Sequence, residues 1–266
     1  MTDKPLIVER CGAVDWVTMN RPERLNALDE SLTVALKSYF EDRYDDRDCR
    51  VVVLRGAGRG FCAGADLASD LTRQVQEEGI GAAFRAQRAI RNIMLAMRRC
   101  PQPIVALMHG AAVGGGFVLG LASDIRIAAP GTRMNAAFIK IGLGGTDVGV
   151  SYLLPRLVGA SLSSELLLTG RDLSVERAHN IGLIAAIAPQ EELETAAQPF
   201  IDAMLATAPL GLALTKEVLN ANIDAPGFEA ALALEDRNQV LLSQTEDFKE
   251  GARAFREKRL PRYQGR

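Results

Sequence analysis

The sequence predicts an α/β core followed by a purely helical C-terminal region. Three observations carry that reading. Short apolar runs alternate with helix-period segments as far as Ile187, and no strand signal remains from Glu191 onward. Two of the apolar runs, Val51–Leu54 and Ile104–Leu107, lead directly into loops of small residues.

Taken in order, Leu6–Glu9 and Val14–Met19 read as extended segments joined by Cys11-Gly12-Ala13, a hairpin. Leu28–Tyr44 is helical by period, with Leu28, Leu32, Ala35, Leu36 and Tyr39 on one face and Asp29 as its cap. Val51–Leu54 reads as a buried strand, and the polar stretch Ser69–Gly79 is the least regular part of the chain. Ala82–Arg99 reads as a helix closed by Cys100-Pro101-Gln102-Pro103, where proline removes the donors that a helix needs. After the strand Ile104–Met108 come a helix at Phe117–Ala122 and strands at Ile125–Ala128 and Arg133–Ala136. Helices follow at Asp147–Val158, Ser161–Leu168 and Val175–Asn180, then a last strand near Ala185–Ile187. The tail reads as helices Leu193–Thr207, Leu212–Ala221, Phe228–Ser243 and Asp247–Lys258, broken at Pro209, Pro226 and Gly227.

Composition narrows the function. With 266 residues, 48% hydrophobic and 24% charged, the chain can bury a sizeable core. A formal charge of −2 gives no global field to recruit nucleic acid or an anionic membrane. Aromatic residues at 5% also argue against a stacking platform for single strands. Cys11, Cys49, Cys62 and Cys100 lack metal-ligand spacing and read as small buried hydrophobes in a reducing compartment. With no apolar signal region in Met1–Pro5 and no membrane-length apolar run, the expectation is a cytoplasmic protein.

The chemistry concentrates in two loops, Arg59-Gly60-Phe61-Cys62-Ala63-Gly64-Ala65-Asp66-Leu67 and Gly110-Ala111-Ala112-Val113-Gly114-Gly115-Gly116. Each follows a strand, and small residues let another group approach the backbone closely. Two strand ends of this kind can aim peptide N–H groups at one oxygen, which is what an oxyanion hole requires. A nucleotide site is the rival reading, but Gly56-Ala57-Gly58-Arg59-Gly60 has Phe61 where the third glycine belongs, and no loop carries Gly-Lys-Ser/Thr. For Gly114–Gly116 alone, close packing and ligand binding are equally good accounts; the pair favours the oxyanion hole. His109 and His179 read as packed, hydrogen-bonded residues, and the arginines of 85–99 as a solvated face.

These loops, with Asn20-Arg21-Pro22-Glu23-Arg24-Leu25-Asn26-Ala27-Leu28, Ser123–Ala128, Leu154–Gly159, Glu165–Gly170 and Glu250–Phe255, resemble the enoyl-CoA hydratase/isomerase (crotonase) superfamily over nearly the whole chain. The resemblance implies a crotonase-like ββα spiral core over residues 1–206. It also implies a helical C-terminal region, 207–266, that builds a homotrimer or a dimer of trimers. The implied partner is an acyl-CoA thioester, with no separate cofactor because coenzyme A arrives as part of the substrate. By motif position the thioester oxygen would meet the N–H groups of Ala65 and Gly115. Arg24 matches a position facing CoA phosphates, Leu25–Ala27 and Ala63 positions around adenine, and Lys258 a C-terminal basic contact. Composition alone makes Arg24 and Lys258 solvated charges. Asp66 and Leu67 complete the binding loop, with Asp66 read as a cap for the turn that follows.

The catalytic carboxylates depart from the family's pattern. Hydratases of the family use two glutamates, and their positions here hold Val118 and Phe138, neither able to move a proton. An apolar pocket near the reacting carbons is implied instead, with Ser69–Gly79 shaping the acyl end. One acid survives nearby, Asp147, at the position of a functional aspartate in dienoyl-CoA isomerases and in 4-chlorobenzoyl-CoA dehalogenases, on a loop with one extra residue. Two readings stand side by side for Asp147: proton transfer among apolar neighbours, or the N-cap of a helix. The overall expectation is an enzyme of the hydratase/isomerase type that stabilises a thioester enolate. The rival from another class is a catalytically silent acyl-CoA-binding homologue.

Overall fold

The computed structural model describes residues 4–69 and 77–266. Strands β1 (Leu6–Cys11) and β2 (Val14–Met19) form the antiparallel hairpin, after which β3 (Val51–Gly56), β4 (Ile104–Met108), β6 (Ile125–Ala128) and β8 (Ala186–Ile187) join in parallel. They make a six-stranded sheet in the order β1-β2-β3-β4-β6-β8. Beside it, β5 (Ala111–Val113) and β7 (Arg133–Asn135) pair in parallel as a two-stranded sheet. Helices α1 (Glu30–Asp42), α2 (Ile80–Arg99), α3 (Gly115–Ala122), α4 (Val150–Val158), α5 (Ala160–Thr169) and α6 (Val175–Asn180) interleave with the strands. The chain then closes with α7 (Leu193–Leu205), α8 (Pro209–Asn222), α9 (Phe228–Ser243) and α10 (Glu246–Glu257).

A period of two sorts the central strands between two cores. Val51, Val53, Val105, Leu107 and Ile127 face α7, packing with Leu193, Ala197 and Ile201. Val52, Leu54, Ile104, Ala106 and Met108 face the other way, onto α1, α2 and α3 through Leu36, Met97 and Leu121. Strands buried on both faces must be apolar throughout, which is why their runs are uninterrupted in the sequence.

The C-terminal helices are anchored through a buried cation. Lys216 on α8 donates to the carbonyls of Met97 (3.2 Å) and Gln102 (2.7 Å) and pairs with Asp124 at 2.9 Å. Among the described residues no single helix is long and apolar enough to cross a membrane.

Three expectations need correction. Leu28 lies outside α1: it bridges to Ala65, and the helix starts at Glu30, with Asp29 accepting the Leu32 N–H at 2.9 Å as its cap. Cys11 is exposed at the hairpin, unlike the other three cysteines, because β1 is the edge strand of the sheet and is exposed from Ile7 to Cys11. The helix expected from Asp147 begins three residues later, at Val150, with Gly149 as its cap. The irregular stretch Ser69–Gly79 lies largely outside the described residues.

Candidate functional site

β3 and β4 are parallel neighbours, with Val52 opposite Ile104 and Arg55 opposite Leu107, so the loops that follow them leave the same edge of the sheet. Carboxyl ends of parallel strands are where such folds place ligands. The two loops then run side by side: the Phe61 N–H donates to His109 O (2.8 Å), Cys62 N–H to Ala111 O (2.8 Å), and Val113 N–H to Cys62 O (3.0 Å). Their contact is too close for side chains. A methyl group on Gly116 would lie 2.0 Å from the Cys62 carbonyl oxygen, and one on Gly64, at φ +89°, would lie 2.8 Å from Val113 O.

Hydrogen bonding fixes which way Ala65 points. The Leu28 N–H donates to Gly64 O at 2.7 Å and the Asp66 N–H to Leu28 O at 3.0 Å, so the N–H between them, on Ala65, is turned away from Leu28. Gly115 opens α3 behind Gly114, and the first amides of a helix have no partner within it. Among the described residues, neither the Ala65 nor the Gly115 N–H meets an acceptor. The would-be methyl of Gly64 lies 3.2 Å from Gly115 N, which puts the two turns in direct contact.

Around this point the loop is braced by polar residues, and the roles of two of them, Arg21 and Asn26, were not read from the sequence. Buried Asn26 donates to the carbonyls of Ala57 (2.9 Å) and Gly60 (2.8 Å) and accepts the Arg21 N–H at 2.8 Å. Arg21 pairs with Asp66 at 3.0 Å and with Asp29 at 3.3 Å, and donates to Ala27 O. Asp66 also accepts the Ala68 N–H at 3.1 Å, closing the turn. His109 Nε2 bonds Gly58 O at 3.0 Å, and burial pushes its pKa down, so a neutral imidazole stiffens the loop. Burial also pushes the Cys62 thiol up to about 12, which removes it as a nucleophile at neutral pH.

The remaining expected positions divide. Arg24 is exposed with no carboxylate partner among the described residues, and Leu25 and Asn26 both hold left-handed backbone, at φ 51° and 55°. Ala27 is buried, Ala63 half-buried, and Leu67 60% exposed beside the turn. Val118 is fully buried on α3, one turn beyond Gly115. Phe138, on a 3-10 turn at Ala137–Ile141, brings its ring within 3.5 Å of where a Gly114 methyl would be. Apolar side chains therefore flank the turns. Lys258 stands apart at the end of α10, which packs on α9, and is exposed.

A model of the enoyl-CoA hydratase/isomerase family matches residues 9–266. This chain belongs to that family. Over 254 residues it is 39% identical to a probable enoyl-CoA hydratase of Mycobacterium tuberculosis, across 92% of this chain and 87% of that one. It is 34% identical over 253 residues to the 1,2-epoxyphenylacetyl-CoA isomerase of Escherichia coli, across 94% of each chain. The crystal structure of an enoyl-CoA hydratase from Bacillus anthracis matches with a TM-score of 0.91 at 31% identity, covering 98% of this chain and all of that one. The chain is thus an enzyme of the enoyl-CoA hydratase/isomerase type, with an acyl-CoA thioester as its class of ligand.

Asp147 needs a second correction. It is half-buried rather than enclosed by apolar neighbours, and it does not cap α4. Its Oδ1 accepts the N–H of Val148 at 2.7 Å and a hydrogen bond from Gln87 Nε2 on α2. An N-cap oxygen reaches amides two or three residues on, whereas this one stays on the adjacent amide.

Proposed function

We propose that the protein forms the enolate of an acyl-CoA thioester, with the Ala65 and Gly115 N–H groups holding the thioester oxygen and Asp147 moving the proton. The observation that carries this reading is the pair of unpartnered amides on two turns in contact. Charge that develops on the oxygen during proton removal would fall where the donors already stand, strengthened by the N-terminal end of α3. Each donor of that kind is worth about 2.7–4 kcal/mol of barrier.

Coenzyme A would lie across Arg24, Leu25, Ala27 and Ala63, with Asp66 and Leu67 at the thioester end and Lys258 as a further basic contact. The unpaired Arg24 guanidinium supports a phosphate role, since nothing else among the described residues uses its charge. Val118 and Phe138 would face the acyl group near its reacting carbons. With no second acid at either position, isomerisation by one carboxylate is favoured over addition of water, and the likeness to the Escherichia coli isomerase supports the same choice. Exposed apolar residues of the last helix and tail, Phe248, Phe255 and Leu260, support reading residues 207–266 as the surface that assembles a homotrimer or dimer of trimers.

The test is exchange of the protons next to the thioester carbonyl with D2O, using phenylacetyl-CoA and 3-hexenoyl-CoA, alongside hydration of crotonyl-CoA. Wild type should exchange, and Asp147→Asn should lose about 10²–10⁴-fold in rate while still binding thioester. Unchanged exchange in Asp147→Asn refutes the role of Asp147. Tight binding with no turnover in wild type would instead establish a silent acyl-CoA-binding protein.

A further inference from the structure

We infer that Gln87 is a positioning residue: it holds Asp147 by one carboxylate oxygen and leaves the other to move the proton. This rests on the reading of Asp147 given above. Oδ1 receives two donors, Gln87 Nε2 from α2 and the Val148 N–H at 2.7 Å. Oδ2 receives none among the described residues. The two oxygens of one carboxylate are therefore unequal before any ligand arrives.

The backbone that presents the second donor is strained. Val148 sits at φ +40°, a region that a β-branched residue rarely enters, with its side chain only 7% exposed. Gly149 follows at φ +101°, and the Asp147 carbonyl accepts the Val150 N–H at 2.9 Å, so the segment is pinned on both sides of the carboxylate. Such strain persists only where the surroundings impose it. A plain turn would need none of it, since an aspartate in a relaxed turn caps an amide further along the chain.

Gln87 also ties the carboxylate to a cavity. One turn further along α2, Arg91, Met94 and Leu95 line a cavity of about 450 Å³, closed on its other side by Val148, Tyr152 and Leu153. The charged and titratable groups on that wall are Arg91 and Arg98 from α2 and Tyr152 from α4. Asp147 directly precedes the lining residue Val148, and Gln87 lies one turn before the lining residue Arg91.

The step balances with the groups present. A C–H bond beside the thioester breaks, its electron pair moves onto the carbonyl oxygen as the enolate, and the proton forms O–H at Oδ2. The same O–H then returns its proton to another carbon of the conjugated enolate, restoring the carboxylate with no co-reactant. A donor on Oδ1 stops the carboxylate from rotating between strokes.

The experiment measures D2O exchange of phenylacetyl-CoA and 3-hexenoyl-CoA over a pH series for Gln87→Leu, Gln87→Glu and Gln87→Lys, with Asp147→Asn and thioester binding in parallel. Gln87→Leu should lower the exchange rate by about 10–100-fold with KM unchanged. Gln87→Glu, which places a like charge beside Asp147, should move the acid limb of the pH–rate profile up, and Gln87→Lys, which restores a donor and adds an opposite charge, should move it down and recover rate. Opposite shifts from two charged replacements are something a merely structural contact would not produce. If Asp147→Asn loses exchange while all three Gln87 variants match wild type in rate and pH profile, the positioning role is overturned and Asp147 stands. If Asp147→Asn exchanges as fast as wild type, or wild type exchanges neither thioester, both fall together.

Discussion

Gly116→Ala tests the contact between the two turns most directly. The new methyl carbon would sit 2.0 Å from Cys62 O, 2.7 Å from Cys62 C and 2.8 Å from Cys62 Cβ. Ordinary contact needs more than 3 Å, so the loop must retreat by about 1 Å or α3 must shift by as much. On helix propensity alone the change should help, since alanine is favoured over glycine by about 1 kcal/mol. Overpacking against backbone opposes it by about 1–3 kcal/mol, and a carbonyl cannot rotate aside as a side chain end can. The net expectation is destabilisation, read at about 2–4 °C per kcal/mol for a chain of this size.

The catalytic effect should be larger than the stability effect. Cys62 lies three residues before Ala65, so its displacement moves one donor relative to the other, and losing one donor costs about 10²–10³ in rate. The control is Gly115→Ala, whose methyl comes closest to Leu28 Cδ1, at 3.1 Å, the movable end of a flexible side chain, and reaches backbone only at Gly64 Cα, at an ordinary 3.9 Å. Thermal unfolding, thioester binding and D2O exchange of phenylacetyl-CoA are measured on both. A Gly116→Ala protein that melts and exchanges like wild type would refute the argument that the turns are in contact, and with it the shared oxygen site.

Arg24→Ala should raise KM for a CoA thioester about tenfold through loss of a charge-assisted phosphate contact, and leave the matching acyl-pantetheine substrate unaffected; equal effects on both would remove the phosphate role. Lys216→Met should cost about 1–3 kcal/mol in urea unfolding, because two buried carbonyls and the partly exposed Asp124 lose their donor. Asp46 is held down to about 2 by its hydrogen bond from Arg10. Its folded value is depressed, so its stabilisation is full above the ordinary carboxylate range near 4 and is lost as pH falls toward 2. The urea midpoints of wild type and Asp46→Asn should therefore converge across that window, and a constant gap would contradict the assignment. Phe255, 87% exposed on α10, should lie in the subunit contact, so Phe255→Glu should lower the assembled mass in sedimentation at an unchanged monomer fold.

Much of the fold was legible because burial on both faces writes itself into a parallel strand. Val51–Leu54 and Ile104–Met108 could hardly be anything else, and small residues after both strands announced that something must approach closely. The prolines after Arg99 and the glycines before Phe117 marked ends that the structure keeps within two residues. What stayed hidden depends on tertiary pairing or on unusual backbone. Periodicity starts a helix at Asp147 because nothing in a one-dimensional pattern anticipates Val148 in a left-handed conformation. Gln87 is 60 residues from its partner, on the exposed side of an arginine-rich helix where a solvated reading costs nothing. Arg21 and Asn26 stood within a motif quoted for other reasons, and only the folded loop shows that they carry its carbonyls and its acid.

Val118 and Phe138 stand where the resemblance would place two glutamates, and on the proposed reading they change what chemistry the scaffold can support. Adding water across a double bond requires one group to direct the oxygen and another to deliver the α-proton. A single carboxylate can instead lift a proton and set it down elsewhere, which needs one free oxygen, a stable enolate between the two strokes, and the exclusion of water that would quench it. On the proposed reading, the apolar flank made by Val118 and the Phe138 ring, the two open amides and the one-sided hold on Asp147 would meet these three needs together. Val118→Glu alone should then fail to create a hydratase, because the buried carboxyl, fully desolvated on α3, would stay protonated without a partner at 138. Crotonyl-CoA hydration appearing in that single variant would show that the missing acid, and not the whole polarity of the pocket, decides between the two reactions.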